Sequence, residues 1–181
     1  QLRVELSQLL NRHFLHGASR KLPAAHRLWS EGDRRTQVYC VRSGALSFSR
    51  MLPDGRRVVI GFAYPGDIVG LGSEVHAFDA DAIQLTKLDA MSIGAVHQAV
   101  SADPAFARLV QAEVSHALSS AYGHVIVVSK LTATERLAHF LVELSERSGV
   151  PYASVHREVE RAHAAGLVSD RFVGRTRLIR A

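Results

Sequence analysis

The hydrophobic positions of this chain follow a strand period in its first half and a helical period in its second half. From Leu28 to about Ile93 the apolar segments are short, rich in Val, Ile, Phe and Tyr, and separated by turns that contain glycine. Short strands between closely spaced turns predict a small antiparallel β-barrel or roll. The turn signals are EGD (31–33), SG (43–44), PDG (53–55), PGD (65–67) and GLG (70–72), and LPDGR (52–56) predicts a hairpin.

A long helix is predicted over residues 103–130. Asp103 is a good N-cap, and Pro104 suits the first helical position because its missing N–H is not needed there. Apolar residues then recur at steps of four, three, four and three, which is the a/d seam of a coiled coil. A narrow seam favours the same helix of a second subunit as its partner; an amphipathic helix lying on its own domain is the alternative. The seam residues are Val114, Leu118, Ala121, Val125 and Val128.

Shorter helices are predicted before and after this one. A short helix is expected near residues 95–100, and a leading helix over residues 1–16 carries Leu6, Leu9, Leu10 and Phe14 at helical spacing. After residue 130 a new helix opens with a capping box between Thr132 and Glu135 and stops at Gly149. Its buried face is expected to contain Leu137, Ala138, Phe140, Leu141 and Leu144.

A further helix and a hairpin are predicted at the C-terminal end. The helix lies within residues 150–168 and ends at Gly166. Residues 169–179 have the pattern of a hairpin. The fold class is therefore α+β. The inward side chains of the helix are expected to be Val155, Val159 and Ala162.

The charge of the chain favours an anionic partner. The formal net charge is +5 and the isoelectric point is near 9.9. Residues 171–181 hold four arginines and no acid, so much of the excess lies at this end. The hydrophobic share of 47% is ample for real cores. No apolar run approaches the ~18 residues of a membrane span. We therefore expect a cytoplasmic protein that does not associate with membranes.

The titratable residues offer little support for a metal site or for catalysis. Cys40 is the one cysteine, which excludes an internal disulfide and a four-cysteine cluster, and it is expected to be a small buried residue in a strand. The ten histidines are scattered, and the close pair His13 and His16 has no third ligand near it. Paired carboxylates, a nucleophile constellation and a phosphate loop are all missing. We predict no enzyme, no metal and no cofactor.

Four segments carry a resemblance to a known family. The segments YCVRSGAL (39–46), DGR (54–56), IGF (60–62) and PGDIVG (65–70) resemble the cyclic-nucleotide-binding β-roll of bacterial CRP/FNR regulators, and the chain looks most like their FixK-like branch. The helices that follow agree, so the resemblance covers nearly the whole chain. It implies a jelly-roll sensor domain over residues 1–102, a dimerisation helix over 103–130 and a winged helix-turn-helix over 131–181.

The resemblance implies a transcription regulator that binds a palindromic operator in double-stranded DNA as a homodimer, with RNA polymerase as a further partner. The helix that follows Pro151 would enter the major groove, where Arg157 could bind guanine or a phosphate. The arginines of the hairpin would pair with the DNA backbone. The expected DNA-binding residues are Tyr152, Ser154, His156, Arg157, Arg161, Arg175 and Arg177.

Two departures from the family concern what is bound. Members that bind a cyclic nucleotide carry a Glu where this chain has Leu71, and an Arg-Ser/Thr pair near the place of Ala80 and Asp81. Aspartates there would face the phosphate with like charge, so we predict that cyclic AMP is not the effector. A Glu that accepts a bond from cytosine is replaced by Ala153, which can offer only apolar contact, for instance to a thymine methyl group.

The third departure is a short connection before the recognition helix. The family places a hairpin and the first helix of the helix-turn-helix between the two C-terminal helices, whereas here they nearly adjoin. Residues 144–150 could serve as that first helix. We favour the other explanation, that a segment near residues 147–151 is absent from the printed chain.

Two alternatives to DNA recognition stay open. One is a ligand-sensing β-roll that regulates a protein partner through its C-terminal part. In the other, residues 150–181 merely cap the dimer and their arginines are solvated charge.

Overall fold

The structure is a computed structural model that describes residues 9–10, 12–14, 17–130, 133–148, 151–164, 169–173 and 176–180. The chain divides into two compact units, residues 1–116 and residues 117–181. The long predicted helix runs through the boundary between them. The three-part division into residues 1–102, 103–130 and 131–181 stays a prediction.

The described residues of the first unit form eight strands, all paired in antiparallel fashion. They form two four-stranded sheets with the orders β1-β8-β3-β6 and β2-β7-β4-β5, which confirms the predicted roll. The strands are β1 (Ala18–Leu22), β2 (Arg27–Trp29), β3 (Gln37–Ser43), β4 (Leu46–Met51), β5 (Arg57–Ala63), β6 (Ile68–Val69), β7 (Asp79–Ala82) and β8 (Thr86–Ser92).

A hydrophobic core lies between the two sheets because both sheets turn alternate residues toward it. The first sheet contributes residues such as Tyr39, Val41 and Leu88, and the second contributes Leu46 and Ala80. Leu46, Ala80 and Leu88 are fully inaccessible to solvent. Phe48 and Phe78 pack against this cluster from its edge.

A second core covers the other face of the first sheet. Val38 and Cys40 of β3 point to this side, while their neighbours Tyr39 and Val41 point into the first core. Helix α1 (Ile93–Ala102) and the first turns of helix α2 (Pro104–Lys130) cover it, with Phe106 almost fully buried. Residues 9–10 and 12–14 are helical and add Leu10 and Phe14, so this part of the predicted leading helix is confirmed.

The start of α2 is fixed as the sequence predicts. The Asp103 carboxylate accepts hydrogen bonds from the backbone N–H groups of Ala105 (2.9 Å) and Phe106 (3.4 Å). The ring nitrogen Nε2 of His13 lies 2.9 Å from the other carboxylate oxygen. The bond to His13 and the backbone bonds lower the pKa of Asp103, so the carboxylate is charged where it caps the helix.

Two strands have no clear signal in the sequence. β1 is an edge strand whose first four residues are exposed, so it lacks the alternation that identifies a strand. β7 reads Asp-Ala-Asp-Ala, a composition that is unfavourable in strands. It forms because Ala80 and Ala82 fill narrow places in the first core while Asp79 and Asp81 point to the opposite side.

The turn between β3 and β4 gives a stability prediction. Gly44 has a φ of +87°, and a Cβ there would lie 2.5 Å from the Thr86 hydroxyl and 2.6 Å from the Leu85 carbonyl oxygen. We expect Gly44→Ala to lower the free energy of unfolding by about 3 kcal/mol, from left-handed backbone strain and overpacking together. Urea unfolding followed by the emission of Trp29 measures this change.

Gly55 in the β4–β5 hairpin is the matched control. Its φ is +81°, but a Cβ there would meet nothing within 4 Å. Gly55→Ala should therefore lose only the backbone contribution of about 1 kcal/mol. Equal losses for the two variants would show that the contact with Thr86 is unimportant.

Besides the C-terminal half of α2, the described residues of the second unit form two helices and a hairpin. They are α3 (Ala133–Ser148), α4 (Tyr152–Ala164), β9 (Ser169–Val173) and β10 (Thr176–Arg180). The two strands pair antiparallel with Thr176 opposite Val173, which confirms the predicted hairpin. α3 lies against α4 and against β10.

One part of the predicted buried face of α3 is wrong. Leu141 is buried and Leu144 is half-buried, but Ala138 and Phe140 are exposed. Leu137, Leu141 and Leu144 follow one stripe at steps of four and three, and the other two residues lie about 100° to either side of it. The side chain of Leu137, together with Thr132 and Gly149, lies outside the described residues.

Candidate nucleic-acid interface

The N-terminal turn of α4 presents a polar and basic surface. The Pro151 carbonyl oxygen accepts bonds from the backbone N–H groups of Ser154 (2.8 Å) and Val155 (3.2 Å), which starts the helix. Val155 is buried, as predicted, and Val159 is half-buried. The side of α4 opposite them is therefore the side that a DNA groove could contact.

Most of the predicted contact residues on α4 are accessible. Tyr152, His156, Arg157 and Arg161 are exposed, as is Ala153, whereas Ser154 is half-buried. At about 100° per residue, Arg157 lies almost opposite Val155 and so occupies the middle of the exposed face. By the same rotation Ser154 and Arg161 lie within about 60° of Arg157, whereas Tyr152 and His156 lie about 100° to 140° from it, on one flank of the exposed face.

The side chains of the two predicted contact residues in the hairpin lie outside the described residues. Arg177 lies in β10 opposite Phe172 of β9, and its side chain is outside the described set. Arg175 and Gly166 lie outside the described residues, and Ala162 lies in α4 with its side chain outside the described set. Their roles stay predictions.

The middle of α2 carries an exposed apolar stripe. The exposed fractions are 49% for Val114, 54% for Leu118 and 64% for Val125, and Ala121 is also exposed. These values do not fit a helix that buries this seam on its own domain. The side chain of Val128, the last predicted seam residue, lies outside the described residues.

Several aromatic side chains of the roll stack on one another, with Trp29 and Tyr39 buried and Phe48 and His76 half-buried. The ring of His76 stacks on Trp29 with centroids 4.1 Å apart and planes inclined by 9°. Trp29 also stacks with Tyr39 at 5.9 Å and Phe48 at 6.2 Å, and its indole N–H donates to the Phe78 carbonyl oxygen. Burial lowers the pKa of His76, which favours the uncharged imidazole in the stack.

The segment around His76 is fastened to the loop after β2. Backbone N–H groups of Gly32 and Arg35 donate to the carbonyl oxygens of His76 and Glu74, both at 2.8 Å, and the His76 N–H donates to Asp33 at 2.9 Å. The Arg35 guanidinium adds a bond of 2.7 Å to the Ser73 carbonyl oxygen. This pairing has no signal in the sequence, because neither segment has a strand pattern.

The prediction that aspartates near Ala80 would face a cyclic phosphate with like charge is wrong. They do not present a bare negative charge, because each is paired with arginine on the side of β7 away from the first core. Arg27 binds Asp79 at 2.9 Å and Asp81 at 2.8 Å, and Arg57 binds Asp81 at 2.7 Å. The hydrogen bond to Asp81 raises the pKa of the Arg27 guanidinium. Ala80 faces the interior, so, contrary to the prediction, the aspartate charges do not point into the roll.

The cysteine is buried, and the histidines among the described residues either contact another side chain or are exposed. Cys40 is fully buried in β3, as predicted, and burial raises the pKa of its thiol to about 11. His13 contacts Asp103 and His76 contacts Trp29, while His97 and His116 are exposed. Within the described ranges, His, Cys, Asp and Glu side chains do not gather in groups that could hold a metal ion. Among the same residues, no helix is long and apolar enough to cross a membrane.

The sequence of this chain is similar to those of known regulatory proteins. The cyclic nucleotide-binding domain model matches residues 19–98. The nitrogen fixation regulation protein FixK of Bradyrhizobium diazoefficiens is 33% identical over 121 residues, covering 66% of this chain and 51% of the relative. The transcriptional activator protein Anr of Pseudomonas protegens is 31% identical over 131 residues, covering 71% of this chain and 54% of the relative. The chain thus spans about half the length of these curated relatives.

A solved structure resembles the chain over most of its length. FixK2 from Bradyrhizobium japonicum superimposes with a TM-score of 0.69 and 25% identity, covering 91% of this chain and 93% of that chain. The likeness therefore extends beyond the roll to the helices that follow it.

Proposed function

This chain belongs to the CRP/FNR family of bacterial transcription regulators, with FixK among its relatives, and we propose that it binds a palindromic operator in double-stranded DNA as a homodimer. The observation that carries the proposal is the surface of α4. Its exposed side holds Arg157 at the centre, Tyr152 and His156 lie together on one flank of that side, and Val155 anchors the opposite side.

The short connection between α3 and α4 supports a helix-turn-helix motif formed by these two helices. α3 is helical to Ser148 and α4 starts at Tyr152, so a short connection joins two helices that lie against each other. This arrangement supports the explanation in which the end of α3 is the first helix of the motif. β9 and β10 then form the wing, whose arginines are proposed to contact the DNA backbone.

The exposed seam of α2 supports the homodimer. A two-fold dimer would cover Leu118 and Val125 and would set two copies of α4 about one DNA turn apart. RNA polymerase is the proposed protein partner at the promoter.

Cyclic AMP is proposed to have no effect, because Leu71 stands where members that bind a cyclic nucleotide carry Glu and β7 contains no arginine to bind the cyclic phosphate. A ligand at 100 times its dissociation constant would stabilise the protein by about 2.7 kcal/mol. We expect the thermal midpoint to move by less than about 1 °C with cyclic AMP, as with 5′-AMP as control, whereas binding would raise it several degrees. A rise specific to cyclic AMP would contradict this part of the proposal.

Binding to a fluorescent duplex of arbitrary sequence tests the proposal for DNA. The association constant should fall steeply with salt, since each phosphate neutralised contributes about 0.9 to the logarithmic slope. Absence of binding at low salt would favour the alternative in which a ligand-sensing β-roll regulates a protein partner through its C-terminal part.

A further inference from the structure

The ring of Tyr152 lies beside the ring of His156 on the exposed surface of α4. Their centroids are 6.0 Å apart with the planes inclined by 35°. This separation is within the range of attractive aromatic pairs. The two residues are one helical turn apart, so the contact forms within the helix itself.

The contact does little for the stability of the folded chain. Side-chain pairs at this spacing on a helix surface stabilise the helix only slightly, and 42% of Tyr152 remains exposed. Its main physical effect is on the imidazole. An exposed histidine samples several staggered rotamers, and a neighbouring ring favours those that lie along it.

We infer that Tyr152 is a positioning residue, which holds His156 ready to donate a hydrogen bond to N7 of a purine in the major groove. Fixing the rotamer in the free protein lowers the entropy cost of binding. The inference rests on the proposed function of α4 as the recognition helix, and it names one base class that the helix selects.

A purine preference follows from the chemistry of the base edges. Both adenine and guanine present N7 as an acceptor in the major groove, and the pyrimidines present none at that place. Arg157 can bind O6 and N7 of guanine together and so selects guanine alone. The two residues should therefore select bases at two different positions of the operator. We call each such position a column of the aligned selected sequences: a purine column, which accepts adenine or guanine, and a guanine column.

Selection of bound sequences from random duplexes tests the inference with four proteins. The wild type and Tyr152→Phe, which keeps the ring, should prefer purine at one position of each half-site by about tenfold. Tyr152→Ala and His156→Ala should both reduce that preference below about twofold at the same position, while the guanine column stays. Equal thermal midpoints for the four proteins should accompany this result.

Two outcomes would overturn the inference. A purine column that survives Tyr152→Ala, or a change at a different column from that of His156→Ala, would show that Tyr152 does not position His156. If the wild type selects a palindrome, such a result leaves the proposed function intact. A wild type that binds DNA but selects no sequence overturns the proposed function and the inference together.

Discussion

Arg157→Ala is expected to abolish sequence-specific binding while the protein still binds DNA of any sequence. Arg157 is exposed at the centre of the α4 face and lies opposite the buried Val155. Loss of a bidentate contact to guanine removes about 1–3 kcal/mol of discrimination in each half-site. In a dimer the two losses combine, so operator affinity should fall by at least about 30-fold. Fluorescence anisotropy with operator and scrambled duplexes measures both affinities.

Arg175→Ala provides the contrast for Arg157. A phosphate contact carries no sequence information, so this variant should lose affinity equally on both duplexes and lower the salt slope by about one per contact. If Arg157→Ala reduced specific and non-specific binding by the same factor, the assignment of Arg157 to a base would be wrong.

Leu118→Glu is expected to convert the protein from a dimer to a monomer. Leu118 sits in the middle of the exposed stripe on α2, and a carboxylate there would be buried against its copy in the partner subunit. The mass measured by light scattering should fall to that of one chain, 19.8 kDa. Binding to a palindrome should fall to the level of a single half-site, because the second recognition helix is no longer tethered.

Ser120→Glu is the matched control on the same helix. Ser120 is also exposed, but it follows Leu118 by two positions and so lies about 200° around the helix, away from the stripe. This variant adds the same charge and should remain dimeric. A dimer that survives Leu118→Glu would show that the stripe is not the interface.

The elements that could be predicted from the sequence are those fixed by local chemistry. Asp103 and Pro104 identify the start of α2 because capping depends on a few adjacent residues. The LPDGR turn identifies the β4–β5 hairpin for the same reason, with the Gly55 N–H bonded to the Leu52 carbonyl oxygen at 2.9 Å. The inward position of Val155 follows from helical periodicity.

The features that escaped prediction depend on distant strand pairing. Asp81 meets Arg27 and Arg57 only because β7 pairs with β2 and lies one strand away from β5, a neighbourhood that no local pattern encodes. The stack of His76 on Trp29 likewise joins residues 47 positions apart. For this reason the expected electrostatics of the roll were wrong even though its architecture was right.

Selection of bound sequences from a pool of random duplexes, with no added effector, tests the central claim most directly. The account predicts that the purified protein selects a palindrome with half-sites about one DNA turn apart, with a guanine column that depends on Arg157. Binding that never selects a sequence, or no binding at low salt, would contradict the claim that this chain is an effector-independent operator-binding dimer.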